Sequence, residues 1–200
     1  MTIHSALIAA ATGCTLLTAT SLSAQGTDSA SMPKANSRWE FLVNSGTLVP
    51  TGTERNAIKR GNLTAAQLTF VARPALAITS TVGWARSRDI ATADNPKLDV
   101  FTYDVGAEVR TSRWGNAVTI TPFAGVGAGG RSYNYRNLDV DAMHNVAAYG
   151  SVGSDIGVRR VRVRLEARDY VTGFKPLTGG GAARTGNDVV VMAGLRFVSR

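Results

Sequence analysis

The chain has 200 residues, a formal net charge of +8, 44% hydrophobic and 18% charged residues, 21 glycines and one cysteine, Cys14. That length suits one domain, and low charge with abundant Gly, Thr, Ala and Val leans towards strands and turns. A lone cysteine excludes a disulfide scaffold, and no stretch beyond the N-terminal run approaches the ~20 apolar residues of a membrane helix.

Residues 1–24, MTIHSALIAAATGCTLLTATSLSA, hold no Asp, Glu, Lys or Arg. An apolar run followed by small residues reads as a signal peptide, with cleavage after Ser23 or Ala24. Its n-region carries only His4 where Lys or Arg is usual. Residues 25–37, QGTDSASMPKANS, are small and polar and read as a flexible lead-in. Residues 38–200 show no repeat and no Pro-rich linker, so they are expected to form one domain.

From residue 38 the pattern has period two, the mark of strands with one apolar face. The first three predicted strands are 38–49 (Trp39, Phe41 and Val43 on one face), 63–73 (Ala66, Leu68, Phe70, Ala72) and 76–87 (Leu76, Ile78, Val82, Trp84). In 99–111, Phe101, Tyr103, Val105, Ala107 and Val109 share a face, with Thr102, Asp104, Gly106, Glu108 and Arg110 opposite. In 117–131, Val118, Ile120, Ala124, Val126 and Ala128 oppose Thr119, Thr121, Phe123, Gly125, Gly127, Gly129 and Arg131. Segment 145–157 carries Val146, Ala148, Val152 and Ile156. Segment 158–170, VRRVRVRLEARDY, alternates arginines with Val161, Val163, Leu165 and Ala167. The last strand, 187–198, carries Val189, Val191, Ala193, Leu195 and Phe197. Ordinary globular strands centre on about 5–6 residues, whereas a strand crossing a bilayer at a tilt needs about 9–11. The predicted lengths fit the second case.

The connections alternate in length. Short turns are expected near Arg73-Pro74-Ala75, Ser112–Asn116 and Val158-Arg159, and long ones over 50–62, 88–98, 132–144 and 172–186. Short turns at one end and long loops at the other are the asymmetry of bacterial outer-membrane barrels. With Pro122-Phe123-Ala124-Gly125-Val126-Gly127-Ala128-Gly129, these features make residues 38–200 resemble the small eight-stranded outer-membrane proteins of the OmpA transmembrane-domain and OmpX type. The resemblance implies an all-β, eight-stranded antiparallel up-and-down transmembrane β-barrel in the bacterial outer membrane. It implies outer-membrane lipids and lipopolysaccharide as surroundings, the barrel-assembly machinery as a partner during biogenesis, and no cofactor. One departure is that Phe197 is followed by Val198-Ser199-Arg200, whereas family members usually end on an aromatic residue.

If the apolar face meets lipid, Phe101, Tyr103, Val105, Val109, Val161, Val163, Leu165, Val189, Val191, Leu195 and Phe197 belong to a lipid-facing belt. Arg86 falls on the same parity, but at a strand end where its head can snorkel. The other face then fills a lumen just wide enough for side chains. Buried charge must be paired, and the inward acids Glu40, Asp104, Glu108, Asp155, Glu166 and Asp188 match the inward arginines Arg110, Arg131, Arg162, Arg164, Arg168 and Arg196. A hairpin about Val158-Arg159 would set Asp155 opposite Arg162. Inward Gly125, Gly127, Gly129 and Gly153 would leave room for arginines and Tyr149. Trp39, Trp84, Tyr103, Trp114, Tyr133, Tyr135, Tyr170 and Phe174 are expected in interface girdles.

Chemistry is sparse. His144 is the only histidine beyond the signal, near Asp139 and Asp141 but without a matching Ser motif, so neither a catalytic nor a metal site is expected. Gly179-Gly180-Gly181 lacks the Gly-Lys-Ser/Thr ending of a phosphate loop. The arginine face carries matching acids, which argues against nucleic acid. Arg55, Lys59 and Arg60 are candidates to touch lipopolysaccharide phosphates. The leading expectation is a structural, adhesion or surface-interaction barrel with a salt-bridged lumen, its external partner unspecified. The alternatives are a lipocalin-like barrel with an apolar ligand inside, and a lipid-modifying barrel enzyme.

Overall fold

The computed structural model describes residues 38–52, 54–111, 114–115, 117–136, 138–158, 161–174 and 184–199. The expected signal peptide and lead-in lie outside the described residues. Eight strands follow in order: β1 (Arg38–Thr51), β2 (Gly61–Arg73), β3 (Leu76–Arg88), β4 (Lys97–Arg110), β5 (Thr119–Tyr135), β6 (Met143–Val158), β7 (Val161–Phe174) and β8 (Arg184–Val198). Each pairs antiparallel with the next, and β8 pairs back onto β1 through contacts such as Phe41 with Phe197 and Val43 with Leu195. The result is a closed eight-stranded up-and-down barrel. Closure satisfies the backbone of every strand and leaves no edge.

The alternation of the sequence becomes an inside and an outside. Phe101, Tyr103, Val105, Val109, Val161, Val163, Leu165, Val191, Leu195 and Phe197 are exposed on the outer wall, Val105 at 58%. Val189 is half-buried there. Arg86, exposed near the end of β3, lays its guanidinium 4.1 Å from the centre of the Trp84 ring. Trp84 in turn stacks on Phe101 with centroids 6.4 Å apart and planes 11° apart. Lower on the wall, Trp39 packs on Phe70 at 5.0 Å.

Four expectations need correction. The middle turn is not short. It runs over 111–118, where Trp114 bridges to Ile120 and Gly115 takes φ 92°, a value any Cβ would strain. At the other end the strands outlast their expected limits, so the loops shrink to 52–60, 89–96, 136–142 and 175–183. Turn and loop lengths therefore differ less than the sequence suggests. The β6–β7 turn falls at 159–160, so Asp155 faces Arg164 and Arg162 faces Gly157. A shift of two keeps every side chain on its own face, so the alternation cannot detect it. Finally, Tyr133, Tyr135 and Tyr170 are not girdle residues but are buried inside. β5 continues through Tyr135 without breaking parity, which carries both of its tyrosines inward. The side chain of Phe174 lies outside the described set.

Glycines make room for the large inward rings. A Cβ on Gly127 would collide with the Tyr149 ring, and one on Gly153 with the Phe123 ring. On the outer face the Tyr103 ring covers Gly130. Gly127→Val is expected to destabilise the barrel by about 1–3 kcal/mol through overpacking. Gly150→Val, where a Cβ meets nothing within 4 Å, should stay within about 0.5 kcal/mol. Urea unfolding followed by tryptophan fluorescence in lipid vesicles would measure both.

Candidate functional site

The lumen divides into two halves. The half nearest the turns is a connected set of ion pairs. Arg110 bridges Glu40 at 2.7 Å and Glu108 at 2.6 Å. Arg164 meets Glu108, Asp155 at 3.4 Å and Glu166 at 2.7 Å. Arg196 meets Glu40 at 3.1 Å and Asp155 at 2.8 Å. Arg168 joins Glu166 at 2.5 Å to Asp104 at 3.2 Å and also donates to Gln67 Oε1 at 2.7 Å. Arg162 is buried at the turn end, across from Gly157 and Arg196. Period-two strands put these charges on one face, and closure brings strands distant in sequence to opposite sides of one narrow space.

Aromatic rings flank the guanidinium groups. Arg164 lies 3.4 Å from the Phe123 centroid and Arg168 4.7 Å from that of Tyr149. A guanidinium over a ring face gains cation–π attraction, more so once desolvated. Each arginine thus spends its N–H donors on carboxylates while its face rests on a ring.

The half nearest the loops is different. Leu48, Leu63, Leu98, Val100, Tyr133, Tyr135, Val190 and Met192 pack into a buried apolar cluster. Ala57 and Ile58 enter it from the first loop. That loop turns through a short 3-10 segment, Glu54–Asn56, and is pinned to the second loop. Ile58 bridges to Asp89, Lys59 N donates to Arg88 O at 2.9 Å, and Ile90 N to Ala57 O at 2.8 Å. Asp89 is fully buried and accepts from Tyr135 Oη at 2.7 Å and from Ala91 N at 2.9 Å. The only hint in the sequence was an apolar pair, Ala57-Ile58, inside a polar loop.

Arg131 and Asp188 stand apart from the larger network. They pair with each other under the loops, and Arg131 lies 4.3 Å from the Tyr170 centroid. Beside them sits Glu54, a buried acid that period-two reasoning could not find because it lies outside every strand. Burial, reinforced by the neighbouring Asp188 carboxylate and only partly opposed by Arg131, pushes the Glu54 carboxyl up to about 9. It is therefore protonated at neutral pH. Being neutral, it adds no net charge to the six inward acids and six inward arginines of the strands.

His144 is exposed, across from Ser132 in register, and Asp139 and Asp141 are exposed in the third loop. Among the described residues no three metal-binding side chains converge. Arg55, Lys59 and Arg60 are exposed in the first loop.

No protein-family model matches the chain, and no curated protein matches it in sequence. Solved structures do match in fold. Neisserial surface protein A aligns with a TM-score of 0.57 and 12% identity over 80% of this chain and 96% of its own. The outer membrane protein OprG from Pseudomonas aeruginosa aligns with a TM-score of 0.56 and 10% identity over 83% of this chain and 97% of its own. The chain has the fold of the small eight-stranded outer-membrane barrels.

Arg164→Met is expected to cost about 3–5 kcal/mol, because it strips pairing from Glu108, Asp155 and Glu166. Adding Glu108→Gln should return part of that loss, a non-additivity that a double-mutant cycle in lipid vesicles would read. Glu54 gives a pH prediction. A carboxyl raised from 4.5 to about 9 contributes stability that is full below 4.5 and lost as pH rises through 9. Seating of the first loop should loosen across that window. Amide exchange at Ala57 and Ile58, corrected for intrinsic base catalysis, should accelerate in the wild type and stay flat in Glu54→Gln.

Proposed function

We propose that the chain is an integral protein of the bacterial outer membrane, with a structural, adhesion or surface-interaction role and no catalytic activity. One observation carries this reading: the polarity of the barrel is inverted relative to a soluble one. The outer wall is apolar on all eight strands, through residues such as Phe41, Leu68, Val82, Val105, Val126, Val152, Val163 and Val191. Arg110, Arg131, Arg162, Arg164, Arg168 and Arg196 and most of the described acids are buried inside. In water that wall would be a very large exposed apolar patch; in lipid it is the expected surface.

Residues 1–24 belong to this proposal as the export signal, 25–37 as the lead-in, and 38–200 as the barrel domain. Outer-membrane lipids and lipopolysaccharide are its surroundings, and the barrel-assembly machinery its partner during insertion. The lumen is a side-chain-filled, salt-bridged plug rather than a permanent channel. Arg131, Arg164, Arg168 and Arg196 are almost wholly buried across it, and Ala57 and Ile58 close the loop end. A lipocalin-like ligand site would need that interior empty. A lipid-modifying enzyme would need a nucleophile hydrogen-bonded to a base, and among the described residues exposed His144, although across from Ser132 in register, makes no such bond.

Fractionation of the native protein tests the reading. It is expected in the outer membrane with heat-modifiable migration on detergent gels, and recovery from the soluble periplasm would sink it. Depth dependence is a second check. Val105→Arg, mid-wall, should cost about 2–4 kcal/mol in lipid, whereas Val118→Arg near the turn end should cost about 0–1. Equal, small costs at both positions would count against a lipid-facing wall.

A further inference from the structure

The loop-end rim holds a feature that the barrel itself does not require. A cavity of about 280 Å³ is lined by Lys59 and Arg60 from the first loop, Arg86, Ser87 and Arg88 from β3, Lys97 from β4 and Arg136 beyond β5. Six cations from four chain segments thus converge on one hollow. The backbone holds them there: Lys59 N donates to Arg88 O at 2.9 Å, Arg88 pairs with Lys97 in register, and Arg136 N donates to Lys97 O at 3.1 Å. Ser87 Oγ donates to Lys59 O. Among the described residues one carboxylate answers them, Asp99, which accepts from Arg136 Nε at 3.1 Å. Among the described residues no acid lies within the 4.0 Å of an ion pair from Lys59, Arg60, Arg86, Arg88 or Lys97. Asp89, next in sequence, turns its carboxyl inward to Tyr135 and the loop amides.

This contrasts with the lumen, where the arginines meet carboxylates. Like charges gathered without counter-charges repel one another and create a standing positive potential, which an anion relieves. Arginines offer forked donors that match phosphate oxygens, and lysines add point charges. Directly below the hollow the wall is apolar and aromatic. Arg86 lies over Trp84, Trp84 stacks on Phe101, and Phe101 and Val82 are exposed. A ligand that fills the hollow and also covers that wall must carry anionic groups at one end and hydrocarbon at the other.

We infer that Lys59, Arg60, Arg86, Arg88, Lys97 and Arg136 form a binding site for the phosphates of a phosphorylated lipid headgroup, whose acyl chains lie against the wall below Trp84. This rests on the outer-membrane reading and adds to it a located site with a defined chemistry. A soluble polyanion satisfies the cations but leaves the apolar wall uncovered, so a lipid is the better fit.

The test uses the full barrel in phosphatidylcholine nanodiscs, with bisphosphorylated lipid A as the probe and dephosphorylated lipid A as its control. The wild type is expected to retain the phosphorylated form and not the control. The variant Lys59→Gln/Arg86→Gln/Arg88→Gln/Lys97→Gln should bind at least ~10-fold more weakly, since each cation removed gives up attraction to the anionic headgroup. Arg73→Gln, at the turn end of β2 and away from the hollow, should bind like the wild type. Equal retention by the fourfold variant, or of the dephosphorylated lipid, overturns the site. Inorganic phosphate or dextran sulfate binding as tightly as lipid A overturns the lipid as its ligand. Heat-modifiable migration is read on the same samples. A wild type that fails to insert overturns the outer-membrane reading and this site with it, whereas one that inserts without retaining lipid A overturns the site alone.

Discussion

An eight-stranded barrel is too narrow to hold bulk water, so each inward polar group must find its partner on another strand. The rest of the structure follows from that constraint. Glu108 is reached by Arg110 two residues along its own strand and by Arg164 from across the lumen. Glu166 links Arg164 to Arg168, and Asp155 links Arg164 to Arg196. Removing one member leaves others unanswered in a low-dielectric space, which is far costlier than never having placed them there. The network therefore ties five strands together by side chains, in addition to their backbone ladder.

The same constraint explains the loop end. Where the carboxylates run out, the lumen is filled by Leu48, Leu63, Val100, Tyr133 and Val190, and by Ala57 and Ile58 of the first loop. Burial of that loop takes Glu54 inside with it, beside Asp188, and the least costly state of a second carboxyl there is the neutral one. Loop seating and proton binding at Glu54 are thus thermodynamically linked. The exposed rim outside the lumen has no such constraint, and there the cations collect with few counter-charges.

Much of the fold was legible because strand parity is local. Asp104, Glu108, Arg164 and Arg168 each occupy the polar positions of an alternating run, and Val105, Val163 and Leu165 the apolar ones, so the sequence alone separates two faces. Pairing was not legible in the same way. Placing Asp155 opposite Arg164 rather than Arg162 depends on where a turn falls, and a shift of two residues leaves the alternation unchanged. Tyr133 and Tyr135 were misplaced for a related reason. Nothing local marks where β5 stops, and a strand that continues carries its parity onward.

What the sequence by itself determined was therefore the number of strands, their faces and the overall balance of inward charge, because each depends on period two and composition within a single segment. Only the tertiary structure decided which arginine meets which carboxylate, that the loop-end lumen is an apolar plug containing Glu54, and that Lys59, Arg86, Lys97 and Arg136 share one hollow. These depend on distances between segments separated by tens of residues. Such distances are set by barrel closure and stagger, which no local periodicity encodes.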